Sequence, residues 1–211
     1  MKSNLAKRKL QSLESRKKIF DTALSMIKKG GFDNVSIQDI CSEAKVSRGL
    51  FYNYFPSKDQ ILLEKILEVD TYYKNIAEKE LRNYAGIDKL FKFVEILFRY
   101  VKYRIGGRDF FRNAYRSFLA TNKSGKMLTN KDRFFFTLLT EIIEEAREKG
   151  ELPGDLNTQK VVNQLAIIIW GLCFTWCLYE RGFDVENEAI AIITTFLKGL
   201  NAEAVSDSST G

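Results

Sequence analysis

A chain without histidine lacks the side chain most used for proton transfer near neutral pH and for binding transition metals. Its chemistry must come from cysteines, carboxylates, lysines and hydroxyls. Of its three cysteines, Cys173 and Cys177 stand four apart on one helical face, a spacing that could hold a metal or form a redox pair. No third cysteine is near and no histidine can complete a tetrahedral set, so they are expected to be small buried hydrophobes. The stretch "NKSGKM", Asn122 to Met127, has the Gly-Lys pair of a phosphate-cradling loop. Ala120 stands at the first glycine position, however, Met127 replaces Ser/Thr, and the flanks read as helices, so a surface loop is expected. In "EIIEEAREKGE", Glu141 to Glu151, acids alternate with Arg147 and Lys149 at helical spacing, the pattern of a solvated face rather than of paired catalytic carboxylates. No catalytic set, metal site or cofactor loop emerges, and an enzyme is not expected.

A different kind of chemistry is offered by "VSRGLFYNYFPSKDQI", Val46 to Ile61, which places four aromatic rings, a glycine and two lone cations in sixteen residues. At 100° per residue from Ser47, Leu50, Phe51, Tyr54 and Phe55 fall on one half of a helix and Arg48, Gly49, Tyr52 and Asn53 on the other. The first group predicts packing. The second offers a guanidinium, a phenol, an amide and a gap to an outside partner. Gly49 costs a helix about 1 kcal/mol relative to alanine, so either something approaches the backbone there or a short helix tolerates it.

The elements that must hold this strip are helical. Two prolines and thirteen glycines in 211 residues, 45% of them hydrophobic, predict an all-α chain with a sizeable core. Ile19, Ala23, Leu24 and Ile27 give a first helix from about Lys9 to Lys29, closed by Gly30-Gly31. Ser36 caps a second helix, with Asp39 as an imperfect capping box and Ile37, Ile40, Cys41 and Ala44 inward. Lys45-Val46 makes the turn, Ser47 caps a short third helix, and Pro56-Ser57 leads to a fourth at Lys58. Two short helices joined by a tight turn, with a polar, basic outer face on the second, form the arrangement that lays its second helix in the major groove of DNA.

Charge agrees with that use. Residues 1–60 hold 12 Lys/Arg against 6 Asp/Glu, while residues 61–211 hold 21 of each, so the net +6 sits at one end. The N-terminus lacks the apolar run of a secretory signal, and the longest apolar run, Leu165 to Tyr179, is shorter than the roughly 20 residues that span a bilayer. The expected setting is the cytoplasm, with free thiols and no membrane partner.

The segment "SIQDICSEAKVSRGLFYNYFPSKDQIL", Ser36 to Leu62, resembles the TetR/AcrR-type transcriptional regulators over about 45 residues, Ile19 to Leu63. The resemblance implies that Ser36 caps the second helix and meets a phosphate, and that Tyr52 and Lys58 also meet phosphates. It implies groove contacts for Ser47, Arg48, Gly49, Asn53 and Tyr54. Lys45 stands where the family usually has glycine, so the turn is either strained or gains a phosphate contact. The implied architecture is an N-terminal three-helix helix-turn-helix domain, residues 1–56, followed by a helical effector-binding and dimerisation domain, 57–200. The tail 201–211 is expected to be disordered.

Beyond residue 63 helical patterns recur at Lys58 to Tyr84, Gly86 to Ile105, Asp109 to Thr121, Lys131 to Lys149, Thr158 to Glu180 and Asn187 to Leu200, nine helices in all. Most aromatics of this part are core, although Phe98, Tyr115, Trp170 and Phe174 could line a cavity for a mainly apolar effector. Arg99, Arg112 or Arg116 would then meet a polar group on it. The stretch Gln164 to Gly182, apolar nearly all round, predicts burial on more than one side and a two-fold interface shared with the last helix. The resulting expectation is a homodimeric repressor on a palindromic double-stranded operator, released by a small molecule. A DNA-bound structural or cell-division factor without an inducer, and more remotely a helical enzyme, stay open on sequence alone.

Overall fold

A computed structural model describes the backbone of residues 2–105, 107–120 and 122–208, and the side chains of 6–103, 107–119 and 125–202. Every regular element among them is helical: α1 Lys2–Gly30, α2 Ile37–Ala44, α3 Arg48–Tyr54, α4 Lys58–Leu67, α5 Val69–Lys79, α6 Gly86–Tyr100, α7 Gly107–Ala120, α8 Asn122–Thr129, α9 Phe134–Glu148, α10 Thr158–Leu178 and α11 Val185–Ser208. A π-helical turn, Val101–Ile105, follows α6. The chain divides into two compact units, Met1–Ile66 with Asn113–Gly125, and Leu67–Arg112 with Lys126–Gly211.

In the first unit, α1 buries Ile19, Phe20, Ala23 and Ile27, α2 buries Ile40, Cys41 and Ala44, and Phe51 and Phe55 are wholly enclosed. Phe55 stacks on Phe20 at 6.2 Å between centroids and leans on Phe51 at 5.8 Å. These rings fix the angle of α3, because a buried aromatic cluster in a packed core tolerates little rotation. Arg16 of α1 pairs with Glu64 of α4 and lies 4.9 Å from the centre of the Phe55 ring. The second half of α7 joins the same unit. There Ser117 Oγ donates to Asp59 Oδ1 at 2.5 Å, and Arg116 pairs with Asp33 at 3.1 Å.

In the second unit, α6 packs on α9 and α11, α10 on the same two helices, and α5 on α9. Phe93, Phe98, Leu138, Leu139, Val162 and Leu165 are buried at its centre. Arg133 is buried and makes a two-pronged bond to Asp70, Nε to Oδ2 at 2.8 Å and Nη2 to Oδ1 at 3.2 Å, with Nη1 on the Leu128 carbonyl at 2.9 Å. Each guanidinium nitrogen has an acceptor and each carboxylate oxygen a donor, which offsets the cost of taking the pair out of water. Arg112 donates to the Cys177 carbonyl at 2.9 Å, and Arg108 to those of Tyr179 and Glu180 at 2.6 and 2.8 Å. Arg112 thus satisfies an open carbonyl of the last turn of α10 and Arg108 the two carbonyls just beyond it, and both cations complement its dipole. At the start of α6, Gly86 has φ +54°, and Glu151 Oε2 accepts from Ile87 N at 2.7 Å. A Cβ on Gly86 would meet that oxygen at 2.0 Å, so the cap and a larger side chain exclude each other.

Several expected elements change. The single helix expected from Lys58 to Tyr84 breaks at Glu68, where Thr71 N bonds back three residues to the Glu68 carbonyl at 3.1 Å, and α5 ends at Lys79. "NKSGKM" is not a loop but lies within α8, whose Lys126, Met127 and Leu128 favour helix. The tail expected to be disordered is helical through Ser208, because Ala202, Glu203 and Ala204 carry α11 onward; Ser209 to Gly211 lie outside the described residues. The first helix begins at Lys2 rather than Lys9. Nine helices become eleven α-helices and a π turn among the described residues. By length and composition α10, with 21 residues, could cross a membrane, yet 50% of its apolar window is buried inside the chain.

Candidate nucleic-acid interface

The turn between α2 and α3 is held by caps at both ends. Ser36 Oγ accepts from Asp39 N at 3.1 Å while Asp39 Oδ2 accepts from Ser36 N at 2.9 Å, so the capping box is complete, not imperfect. Ser36 Oγ also donates to Asp39 Oδ2 at 2.6 Å. These bonds, the side-chain one foremost, hold the Asp39 carboxyl below its ordinary pKa. With its proton directed at Asp39, the Ser36 hydroxyl has no donor left for a phosphate in this arrangement. Ser47 Oγ accepts from Leu50 N at 3.1 Å and keeps its own proton to donate.

Lys45 resolves the departure seen in sequence. It adopts φ +53°, ψ +50°, the left-handed conformation in which glycine usually ends a helix. Its N–H bonds to the Ser42 carbonyl at 3.1 Å, and that of Val46 to the Cys41 carbonyl at 2.9 Å, closing α2 as a glycine would. The turn keeps its shape, and the exposed ammonium remains available on its surface.

Along α3 the division of faces is sharp. Phe51 and Phe55 are fully buried and Leu50 and Tyr54 partly so, whereas Arg48, Gly49, Tyr52 and Asn53 are exposed. The Tyr52 ring stands on edge against Phe51 at 5.6 Å and is 47% exposed, so its phenol is aimed outward from a fixed base. A Cβ on Gly49 would find no protein atom closer than Ser47 Oγ at 3.9 Å. Nothing within the chain requires glycine there.

Two expected contacts have other partners. The Lys58 ammonium donates to the carbonyls of Phe32 and of Val35, the latter at 2.7 Å, and lies 4.0 Å from the centre of the Phe32 ring. Its partial burial lowers its pKa, with Asp33 and Asp59 opposing that shift. Lys58 therefore straps down the segment that presents Ser36. Tyr54 Oη shares a hydrogen bond of 3.0 Å with Ser12 Oγ of α1, a contact that sequence periodicity could not show because the residues are 42 apart.

The expected effector residues differ in exposure. Phe98 is fully buried, and Trp170 is half-buried, stacked on Phe135 at 6.1 Å and edge-on to Phe136 at 5.8 Å. Phe174 is 41% exposed, and Tyr115 belongs to the other unit. Of the three arginines proposed to meet an effector, Arg99 pairs with Glu80 and Glu95, Arg112 caps α10, and Arg116 pairs with Asp33. Two open grooves run along α10 and α11. One of about 860 Å³ lies by Lys160, Gln164 and Thr195, and one of about 510 Å³ by Ile167, Gly171 and Ile192. The cysteines are all buried, and burial raises each thiol's pKa, that of Cys177 up to about 11 against the pull of Arg112. A protonated buried thiol is a poor nucleophile and ligand.

Residues 19–64, from the α1 core into α4, match the family model for bacterial regulatory proteins of the tetR family, and residues 124–202 match that for the C-terminal region of MAATS-type transcriptional repressors. The transcriptional regulator UidR of Escherichia coli is 23% identical over 192 residues, covering 89% of this chain and 90% of its own. AcrR of Shigella flexneri is 25% identical over 205 residues, covering 91% and 92%. The TetR-family repressor FadR of Thermus thermophilus, 21% identical, shares the fold with a TM-score of 0.67 over 88% of this chain and 94% of its own. One matched region carries the capped turn and the exposed strip of α3, and the other carries the C-terminal helices: the chain is a DNA-binding transcriptional regulator and belongs to the TetR family.

Proposed function

We propose that the protein is a homodimeric repressor that reads a palindromic operator with α3 and is released by a small, mainly apolar effector. The observation that carries this reading is the strip Arg48, Gly49, Tyr52 and Asn53, exposed on a helix whose other side is locked by Phe51 and Phe55. In it Arg48 reaches a base edge, Tyr52, Ser47 and Lys45 meet phosphates, and the open space over Gly49 admits the DNA backbone or a base. Asn53 lies on the same face. Ser36 and Lys58 act by holding the turn, and Tyr54 by anchoring α3 to α1. A footprint on the DNA flanking the protein's own gene tests the reading; absence of any protected palindrome there or in a genomic selection would end it.

The dimer is proposed to form through α10 and α11. Ile167, Phe174 and Leu178 on α10 are 66, 41 and 62% exposed, and Ile192 on α11 is 36% exposed. An apolar face of this size on two adjacent helices supports a second copy as its cover. Residues 1–56 then form the reading domain and 57–200 the domain for effector and partner. The effector is expected among the rings of the second unit, where Tyr73, Phe93, Phe135 and Trp170 run in edge and stacked contacts. FadR of T. thermophilus was solved in complex with lauroyl-CoA, which supports an apolar effector here. Compounds that raise the melting temperature should also weaken operator binding, by about 5- to 150-fold for a typical coupling. Stabilisation with unchanged DNA affinity would remove induction from the proposal. No catalytic role is part of this reading.

A further inference from the structure

Resting on the DNA-binding reading, this inference concerns where the protein obtains its attraction to the duplex. The segment matched to the tetR model, residues 19–64, holds five Lys/Arg against six Asp/Glu, whereas residues 1–18 hold seven against one. The whole formal excess of +6 therefore lies ahead of the matched reading head. Affinity for DNA of any sequence comes mainly from cations that neutralise phosphates, and a head with more acids than bases supplies little of it.

That basic stretch is folded as helix. The helix α1 starts at Lys2, and its first core residue is Ile19, roughly four and a half turns later. From Ala6 to Glu14 every residue is exposed. A helix that is polar nearly all round and unsupported by packing is marginal alone and gains order from a partner. Its base is fixed beside the reading helix by the 3.0 Å bond between Ser12 Oγ and Tyr54 Oη. Arg8 and Lys9 precede Ser12 by four and three residues, so they lie one turn further out on the face turned toward α3. Lys7 and Lys18 lie on the other side of the helix. Among the described residues none of these four cations is ion-paired, while Arg16 and Lys17 have Glu64 and Asp21.

We infer that residues 6–18 form a phosphate-binding arm that grips DNA backbone flanking the groove read by α3, with Arg8 and Lys9 as its principal contacts. The test uses the full chain and a mixed-sequence duplex several turns long, so no operator need be known. Binding is followed by fluorescence anisotropy across a salt series. R8Q/K9Q is expected to reduce the slope of log K against log salt by about 2 per bound protomer, near 0.9 for each lost phosphate contact, with unchanged helicity and melting temperature. K7Q/K18Q removes the same charge from the far side and is expected to change the slope less than half as much. If R8Q/K9Q melts early, R8K/K9R, which keeps the charge, must retain the full slope. Equal losses in the two charge-removing pairs would reduce the arm to diffuse attraction and overturn it, as would an unaltered slope in R8Q/K9Q. Exposed Leu10 and Leu13 suit a lipid surface as well. Lost retention on anionic vesicles with an intact DNA slope would therefore also overturn the arm. A wild-type protein that binds no duplex at any salt sinks the DNA-binding reading itself, whereas wild-type binding with unaltered variants sinks the arm alone.

Discussion

The helix α3 and the core of the second unit use aromatic residues in opposite ways. On α3, Phe51 is sealed in while Tyr52, its neighbour in sequence, is 47% exposed; one ring supports and the next is presented. In the second unit Tyr73, Phe93, Phe135 and Phe136 are all buried, and Trp170 leans on them half-covered. The first unit thus presents its reading strip on one helix, where residues one or two apart already differ in role. The core of the second unit uses these rings for cohesion, and any response there must disturb packing. Truncating an exposed side chain of α3 should change binding with little change in stability, and a truncation in the second core should do the reverse.

The largest expected effect is in the second unit. Asp70→Ala leaves the Arg133 guanidinium buried without its carboxylate, which should cost about 3 to 5 kcal/mol. Denaturant unfolding measures it, and the double replacement D70A/R133M should recover much of the loss. A change under about 1 kcal/mol would mean that water reaches the arginine, and the contrast between the units would weaken.

Next comes Arg48→Ala. Arg48 is exposed, so the melting temperature should hold while operator affinity falls by about 1 to 3 kcal/mol, with discrimination relaxed at one base pair. Gel shifts against a panel of single-base operator variants would detect both. Equal loss on every sequence would make Arg48 a phosphate contact instead.

Gly49→Ala separates the two readings of that glycine. Because a Cβ meets no protein atom within 3.9 Å, the helix should gain up to about 1 kcal/mol of stability. If DNA approaches the backbone there, affinity should fall by about tenfold or more, near 1.4 kcal/mol. A variant that is more stable and binds equally well would show that a short helix merely tolerates glycine.

How much of this was legible in sequence follows the same division. The caps Ser36 and Ser47, the buried Phe51 and Phe55 and the exposed Arg48 and Tyr52 follow from residues within a few positions of each other, where helical period and capping chemistry decide. The roles of Lys58 and Tyr54 depended on partners 23 to 42 residues away in Val35, Phe32 and Ser12, which no local pattern encodes. The break at Glu68 was hidden because its flanks share one helical period. Grouping Phe98, Tyr115, Trp170 and Phe174 is beyond local pattern, because spacing says that a ring is inward but not which others it meets. The basic residues before Ile19 were visible as charge; only the exposed helix beneath them gave that charge a location.

The smallest effect expected is at Lys45, where the polar turn and the protein's stability are opposed. A residue other than glycine in the left-handed conformation costs roughly 1 to 2 kcal/mol. Lys45→Gly removes that cost, but the freer unfolded chain returns about 0.4 to 1 kcal/mol of it. The net gain should be near 0.5 to 1 kcal/mol, measurable as a shifted denaturation midpoint with unchanged slope. The same substitution deletes an exposed cation beside α3, so the salt dependence of DNA binding should fall by about one contact per protomer. Greater stability with weaker, less salt-sensitive binding would explain a lysine where glycine fits better: the turn keeps a modest strain for the sake of a phosphate. If stability rises and binding is untouched, the strain serves no contact, and the DNA face begins at Ser47.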